Sequence, residues 1–426
     1  MDDFRIIVLD DDPTGTQTVH GVRVYTDYAE STLREAFESG DPLFFVLTNS
    51  RSFSREETIR VHREIGSAVK KLAEEFGVRP LVISRGDSTL RGHFPQETEA
   101  LAEGLGGGFD GEIIMPFFPE GGRFTKDNIH YVKQPDGSLL PAGETEFARD
   151  RTFGYRSSNL CDWVEEKTGG RYKAADCLTI PLGAPEEETF QRLMGAKDFQ
   201  KIIVNAMSYA DVETFCAALR RALAQGKGFL YRTAAAFPRV MGQIEPIPLL
   251  RAEDICDMQS PNGGLILVGS HVPKTTAQLA SLLKALPNLA TLEFDAAAAM
   301  KPGAGEALAE AAATFAEKAI RSGQTAVIYT SRQRIDLAGI SGEEQLAASV
   351  RVSDALTSIP LRIQTRPRYL IAKGGITSSD TATRGLRIRR ADVLGQAAPG
   401  IPVWRAGKES TWTGMAYISR TVAASA

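Results

Sequence analysis

"IIVLDDDPTGTQTVHGV", residues 6–22, runs four apolar residues straight into three carboxylates, Asp10, Asp11 and Asp12, and then into a turn containing Pro13, Thr14 and Gly15. A short Ile/Val/Leu run bounded by polar turn residues reads as a strand buried on both faces of a parallel sheet. Three like charges in the following turn repel one another and resist leaving water. Such a turn is tolerated where solvent, a cation or a donor-rich ligand compensates it.

The same pattern recurs along the chain, in "PLFFVLTNS" (42–50), "RPLVISR" (79–85), "GEIIMPFF" (111–118), "KIIVNA" (201–206), "GLILVGS" (264–270), "TAVIYTS" (325–331) and "RYLIAKGG" (368–375). Helical periodicity fills segments 55–76, 95–104, 211–225 and 274–286, and the alanine-rich stretch after Gly305 has the spacing of an amphipathic helix. Strands alternating with helices predict an α/β fold. A chain of 426 residues exceeds the size at which one hydrophobic core stops growing, so two domains are expected, each with a mostly parallel sheet flanked by helices. The proline- and glycine-rich stretch "GQIEPIPLLRAEDICDMQSPNGG" (242–264) places the boundary near residue 255, giving domains 1–255 and 256–426.

Composition narrows the function classes. A net charge of −4 gives no support to non-specific nucleic-acid binding, which requires a basic surface, and points to small-molecule partners. Cys161, Cys177, Cys216 and Cys256 are dispersed without a CxxC pair, and HExxH is absent, so neither a zinc site nor a disulfide framework is indicated. His20, His62, His93 and His130 lack metal-ligand spacing and read as structural. No run of about 18 apolar residues and no basic leader occurs, so no membrane span or signal peptide is expected and a cytoplasmic location follows. The sequence is silent on oligomeric state and compatible with a homo-oligomer.

Ligands of open parallel sheets bind beyond the carboxyl ends of the strands. In the first domain those ends carry Asp10, Asp11 and Asp12, then Arg51, then Arg85, Asp87, Ser88 and Arg91 within "SRGDSTLRGH" (84–93), and Arg123 within "PFFPEGGRFTKDNIHY" (116–131). The arginine fork matches a carboxylate or phosphate, while aspartates suit sugar hydroxyls or a hard cation such as Mg²⁺. A small, hydroxylated anion would use both. The plainer alternative is that Asp87 or Asp110 caps a helix and that Arg85 and Arg91 form surface ion pairs.

In the second domain "LVGSHVPKTTAQL" (267–279) sets Gly269, Ser270 and His271 at a strand end, and "AKGGITSSDTATRGL" (372–386) sets Gly374, Gly375, Ile376, Thr377, Ser378 and Ser379 between strand and helix. Glycines let backbone amides approach a phosphate, and a helix start adds favourable potential. There is no GxxxxGK[ST], hence no Walker-type loop. "YTSRQR" (329–334) either lines the same site through Arg332 and Arg334 or leaves both solvated.

Asp10, Asp12 and Thr14 resemble the DxDxT pattern of haloacid-dehalogenase-like phosphatases, in which one aspartate attacks phosphorus. That family also needs a later acidic pair, and none follows a later strand of the first domain. More specifically, "LDDDPTGT", "LTNSR", "SRGDSTLRGH", "MPFFPEGGRFT", "LVGSHVPKTTAQL" and "GGITSSDTA", in this order over nearly the whole chain, resemble the four-carbon acid sugar kinase family, which phosphorylates erythronate, threonate and oxo-tetronates with ATP. The resemblance implies a sugar-acid domain, an ATP domain and an active-site cleft between them. It places the acidic pair on Asp11 and Asp12, with Asp12 as catalytic base and Asp11 second. The sugar-acid arginines fall on Arg51, Arg85 and Arg91, with Arg91 gripping the substrate carboxylate, the nucleotide serine on Ser270, and the nucleotide loop on Gly374, Gly375, Ile376 and Thr377. Mg²⁺ would bridge the ATP phosphates, its protein ligands unassigned. One departure stands out. After "PGIPVWRAGKESTWTGMAYI" the family continues into a strand and a glycine-rich loop, whereas here "SRTVAASA" follows. Either Gly407 and Gly414 replace that loop, or ATP binds poorly and the scaffold serves as a non-catalytic sugar-acid-binding or effector protein.

Overall fold

The computed structural model describes residues 4–333 and 342–420. Arg334 and residues 421–426 of the atypical tail lie outside the described residues. The described residues divide into two compact units, the first ending at Ile247 and the second beginning at Pro248. The division falls before the expected residue 255 for a packing reason. Leu250 donates its amide to the Gln396 carbonyl, and Leu250 and Ile255 pack on the apolar cluster of Ile401, Val403 and Ile418, so the proline-rich stretch already belongs to the second unit.

In the first unit the strands are β1 (Phe4–Asp10), β2 (Val22–Tyr25), β3 (Leu43–Leu47), β4 (Arg79–Arg85), β5 (Gly111–Met115), β6 (Arg123–Lys126), β7 (Ile129–Lys133), β8 (Leu139–Pro141), β9 (Leu178–Ile180), β10 (Gln200–Val204) and β11 (Phe229–Thr233). Eight of them form a parallel sheet in the order β2-β3-β1-β4-β11-β5-β10-β9, while β6, β7 and β8 make a small antiparallel sheet. The apolar runs are buried on both faces, as a helix-covered parallel sheet requires: Ile7 and Val8 of β1 and Phe44, Phe45 and Val46 of β3 are completely inaccessible.

The helix Arg55–Phe76 shows how local sequence secures a layer. Ser54 caps it by accepting the Glu57 amide at 3.1 Å, Glu56 and Glu57 favour the positive N-terminus, and Gly77 ends it in the left-handed conformation. Val61, Ile65, Val69 and Leu72 line its buried face, each worth about 1.5–3 kcal/mol of burial.

The second unit has β12 (Leu265–Val268), β13 (Ala290–Phe294), β14 (Ala326–Thr330), β15 (Leu370–Lys373), β16 (Arg390–Ala398), β17 (Ile401–Ala406) and β18 (Ala416–Arg420). Their order is β13-β14-β12-β15-β18-β17-β16, parallel from β13 to β18 and antiparallel thereafter. The expected amphipathic helix runs from Ala304 to Arg321, burying Ala309, Ala312, Ala316 and Ile320. Among the described residues no helix is long and apolar enough to cross a membrane.

In each unit the strands laid beside the first one fall on opposite sides of it, a reversal point. In the first unit β3 is laid on one side of β1 and β4 on the other. In the second, β14 is laid on one side of β12 and β15 on the other. The crevices at these reversal points are where such sheets bind ligands.

Candidate functional site

At the first reversal point the strand register puts Asp10 of β1 opposite Arg85 of β4. Nη1 of Arg85 donates to Asp10 at 3.0 Å and to Asp11 and Asp12 at 3.3 Å each. Arg51 grips Asp11 at two points, 3.0 and 2.7 Å, and reaches Asp12 at 2.7 Å. The amide and hydroxyl of Thr14 both donate to Asp12. The turn therefore exists because two arginines, brought from other strand ends, neutralise it.

The three carboxylates are not equivalent. Asp10 is fully buried, and burial, opposed by Arg85, pushes its pKa up to about 8. Burial also pushes Asp11 upward, opposed by the Arg51 fork. For Asp12 burial acts in the same direction, but Arg51, Arg85 and the Thr14 hydrogen bonds outweigh it and hold the carboxyl at about 2. Side-chain exposure is 1% for Asp10, 5% for Asp11 and 16% for Asp12, so Asp12 is the member of the trio that a ligand can touch.

The trio's oxygens approach one another within 4.8 Å, as cation ligands would. The donor set does not fit a resident divalent ion, however. Arg51 and Arg85 already balance Asp11 and Asp12, and Asp10 holds its proton at neutral pH, so no charge is left to repay stripping the water from Mg²⁺.

The loop after β4 carries the next group. Asp87 accepts Nε of Arg91 at 2.7 Å and the Thr89 hydroxyl; burial opposes, but Arg91 and Arg51 hold its carboxyl well below the usual range. Ser88 is buried, and its carbonyl accepts Nε2 of His130 at 2.7 Å, while the Thr125 hydroxyl lies 2.9 Å from Nδ1. Burial drops the His130 pKa to about 4, so the ring is neutral and holds the loop, in line with its structural reading. Tyr155 donates to the Thr89 carbonyl at 2.7 Å. Arg91 is two-thirds to three-quarters covered, and Arg123 is buried.

Arg232 escaped the sequence reading. It pairs with buried Glu97 at 2.8 Å and donates to the Arg91 carbonyl at 2.9 Å, fixing the loop from behind. Its strand β11, "FLYRT", inserts between β4 and β5. The apolar-polar content of five residues was the signal available for it.

At the second reversal point Val268 of β12 pairs with Lys373 of β15, so the Gly269–Ser270 turn abuts the Gly374–Thr377 loop. Both Gly269 and Ser270 donate amides to the Lys373 carbonyl. A side chain at Gly269 would meet the Thr377 hydroxyl at 2.0 Å, and Gly374, at φ +125°, lies with its missing Cβ 3.1 Å from that of Ser270; both positions need glycine. Gly375 faces open space, and Ile376 is exposed. Ser378 is buried, donating to the Ala372 carbonyl at 2.9 Å. Arg332 is half-buried rather than solvated and ties the two strand ends together, donating to the Ser270 carbonyl at 2.8 Å and to Thr330. Beside the loop opens a cavity of about 320 Å³ lined by Gly269, His271, Met300, Thr330, Leu356 and Thr377, among others.

Gly407 is not in this group: it sits in the turn after β17, its amide on the Arg390 carbonyl and its α-carbon against Glu409. Gly414 closes the same turn, donating to Ala406. The residues "AYISR", whose last two open the atypical C-terminus, form β18, paired with β15 and β17.

Comparison with known proteins assigns a ligand class to each unit. A sugar-binding N-terminal domain model matches residues 6–241 and a nucleotide-binding C-terminal domain model matches residues 265–420. Among solved structures, a Salmonella typhimurium LT2 protein, provisionally described as a tRNA synthase, is 19% identical with a TM-score of 0.69, covering 98% of this chain and 95% of its own. Haemophilus influenzae protein HI1011 is 16% identical with a TM-score of 0.61, covering 97% and 96%. At these identities the likeness is one of fold. No curated relative matches the chain.

Proposed function

Because this chain belongs to the four-carbon acid sugar kinase family, with the sugar-binding and nucleotide-binding domains both present, we propose that it transfers the terminal phosphoryl group of ATP, supplied with Mg²⁺, to a hydroxyl of a four-carbon sugar acid. The observation that carries the reading is the acidic turn: a carboxylate held ionised, reachable from outside and oriented by two guanidiniums.

In this reaction the substrate oxygen bonds to phosphorus, the bond to the ADP oxygen breaks, and the hydroxyl proton passes to Asp12. A carboxyl near 2 is a weak base. That suffices in a loose transition state, where the proton becomes acidic only as the oxygen–phosphorus bond forms. Most of the rate then comes from positioning. Arg51 and Arg85 order the turn, Asp87 and Ser88 face the hydroxyls, and the Ser270 and Gly374–Thr377 turns, with Ser378 beneath them, receive the nucleotide phosphates beside the 320 Å³ cavity.

The phosphatase reading meets a physical obstacle. Its nucleophile would be Asp10, which is fully buried and protonated at neutral pH, and a nucleophile must reach phosphorus as an anion.

The direct test is a coupled ADP-release screen of the full chain over erythronate, threonate and their oxidised forms. ADP formation that depends on both Mg²⁺ and one of these acids is the expected result. Phosphate release from a sugar phosphate without ATP would support the phosphatase instead, and acid binding without ATP binding at millimolar concentration would support a binding protein.

The nucleotide half has its own test. Gly269→Ala forces Thr377 aside, an overpacking cost of about 1–3 kcal/mol, so ATP affinity should fall about tenfold while sugar-acid affinity stays constant. Unchanged ATP affinity in calorimetry would remove this turn from the nucleotide site.

A further inference from the structure

Five arginines gather around the first unit's strand ends, and four of them have a carboxylate partner. Arg51 has Asp11 and Asp12, Arg85 the whole trio, Arg91 Asp87 and, at 3.7 Å, Asp150, and Arg232 Glu97. Arg123 differs. It is 6% exposed and forms no ion pair with any described residue. Asp87 and Glu146 influence it from beyond ion-pairing range. Burying an uncompensated cation is costly, and burial here depresses the arginine below its ordinary pKa.

The neighbourhood sharpens the anomaly. The guanidinium of Arg123 lies 5.6 Å from the centre of the Phe147 ring, and that of Arg91 lies 5.0 Å from the same ring. Two cations held against one aromatic ring repel each other, and attraction to the ring offsets only part of the cost. An anion shared by both would relieve the repulsion.

We propose that Arg123, acting with Arg91 beside the Phe147 ring, is the anchor that holds the substrate carboxylate and makes the site select acids over neutral polyols. This rests on the reading of the first unit as a sugar-acid site. It adds Arg123 and Phe147 to the grip already expected of Arg91, and leaves Arg51 and Arg85 to order the acidic turn. It also orients the ligand, because Asp87 interacts with Arg91, beside Phe147, and with Arg51, which grips the acidic turn. The carboxylate end faces Arg123 and a hydroxyl faces Asp12. Phe147 becomes a positioning residue that no strand-end pattern would single out.

The test is calorimetric binding of erythronate and threonate, and of the neutral polyols erythritol and threitol, to the full-length protein and its variants. Arg123→Gln is expected to weaken acid binding about 30-fold or more, as loss of a buried charged partner does, and to leave polyol binding unchanged. Arg123→Lys, which keeps the charge without the fork, should lose about fivefold. Phe147→Leu, which removes the platform, should also lose about fivefold. Since Arg123→Gln removes an uncompensated buried charge, the ligand-free variant should melt no lower than the wild type. Acid affinity of Arg123→Gln within about threefold of the wild type overturns the proposal while the sugar-acid reading stands. Should that variant fail to fold, unchanged acid affinity in both Arg123→Lys and Phe147→Leu overturns it equally. A wild-type protein that binds neither acid overturns the underlying reading first, a result the variants play no part in.

Discussion

Asp12→Asn is expected to lower the turnover of sugar-acid phosphorylation by about 10²–10⁴-fold, the usual contribution of a positioned general base. The substitution is isosteric and keeps an oxygen for the Thr14 donors, so the loss should appear in kcat and kcat/KM together, with sugar-acid affinity little changed. With a folded-state pKa held near 2, below the usual carboxylate value, Asp12 stays ionised throughout the working range. Its stabilising contribution is present above about pH 4 and fades only as the pH falls toward 2. Any acid limb of the activity profile above pH 4 therefore belongs to another group. Steady-state kinetics on the purified variant decides the matter. Retention of more than about a tenth of the wild-type rate, below the range expected for a base, would remove Asp12 from that role. If Asp11→Asn then proved inactive with its fold intact, the role would pass to Asp11.

Asp10→Asn should stabilise the protein at alkaline pH and flatten its pH dependence. Burial raises the Asp10 carboxyl from 3.8 to about 8 despite the Arg85 contact, so between those values the folded chain keeps a proton that the unfolded chain releases. Stability tied to this group is therefore complete below about pH 4 and is lost progressively as the pH rises toward 8. The loss is of the order of a few kcal/mol by the top of that window. Asparagine is neutral at every pH and nearly isosteric with the protonated acid, so it carries no such penalty. Denaturant unfolding at pH 5 and pH 8 should show the wild type losing stability over this interval and the variant losing much less. Parallel pH slopes in the two proteins would show that Asp10 is ionised in the native state, and the neutral balance of the acidic turn would have to be abandoned.

Local pattern made much of this molecule legible. The eight apolar runs all became strands, because a chain segment buried on both faces must be continuously apolar whatever its neighbours are. The helix Arg55–Phe76 was readable to the residue, since Ser54 and Gly77 mark its ends chemically. What escaped were elements with weak local signals: the short β2, the antiparallel β6-β7-β8 sheet, β16 and β17 at the edge of the second unit, and above all β11, whose five residues complete the centre of the first sheet. With β11 went Arg232, and with the 3₁₀ turns at residues 142–149 went Phe147.

The sequence by itself determined the class of fold, the polar chemistry at the strand ends and the presence of two ligand-binding halves, because side-chain periodicity and turn residues act over a few positions. Only the tertiary structure decided what each charge is for. Asp10 meets Arg85 across 75 positions of chain through the register of β1 and β4, and that meeting turns three repelling carboxylates into a neutral cluster with one reachable member. Long-range pairing likewise engages Arg51 and Arg232, Arg91 pairs locally with Asp87, and Arg123 has no ion-pair partner among the described residues. Electrostatic compensation depends on distances between residues far apart along the chain, and those distances are fixed by how the strands are ordered.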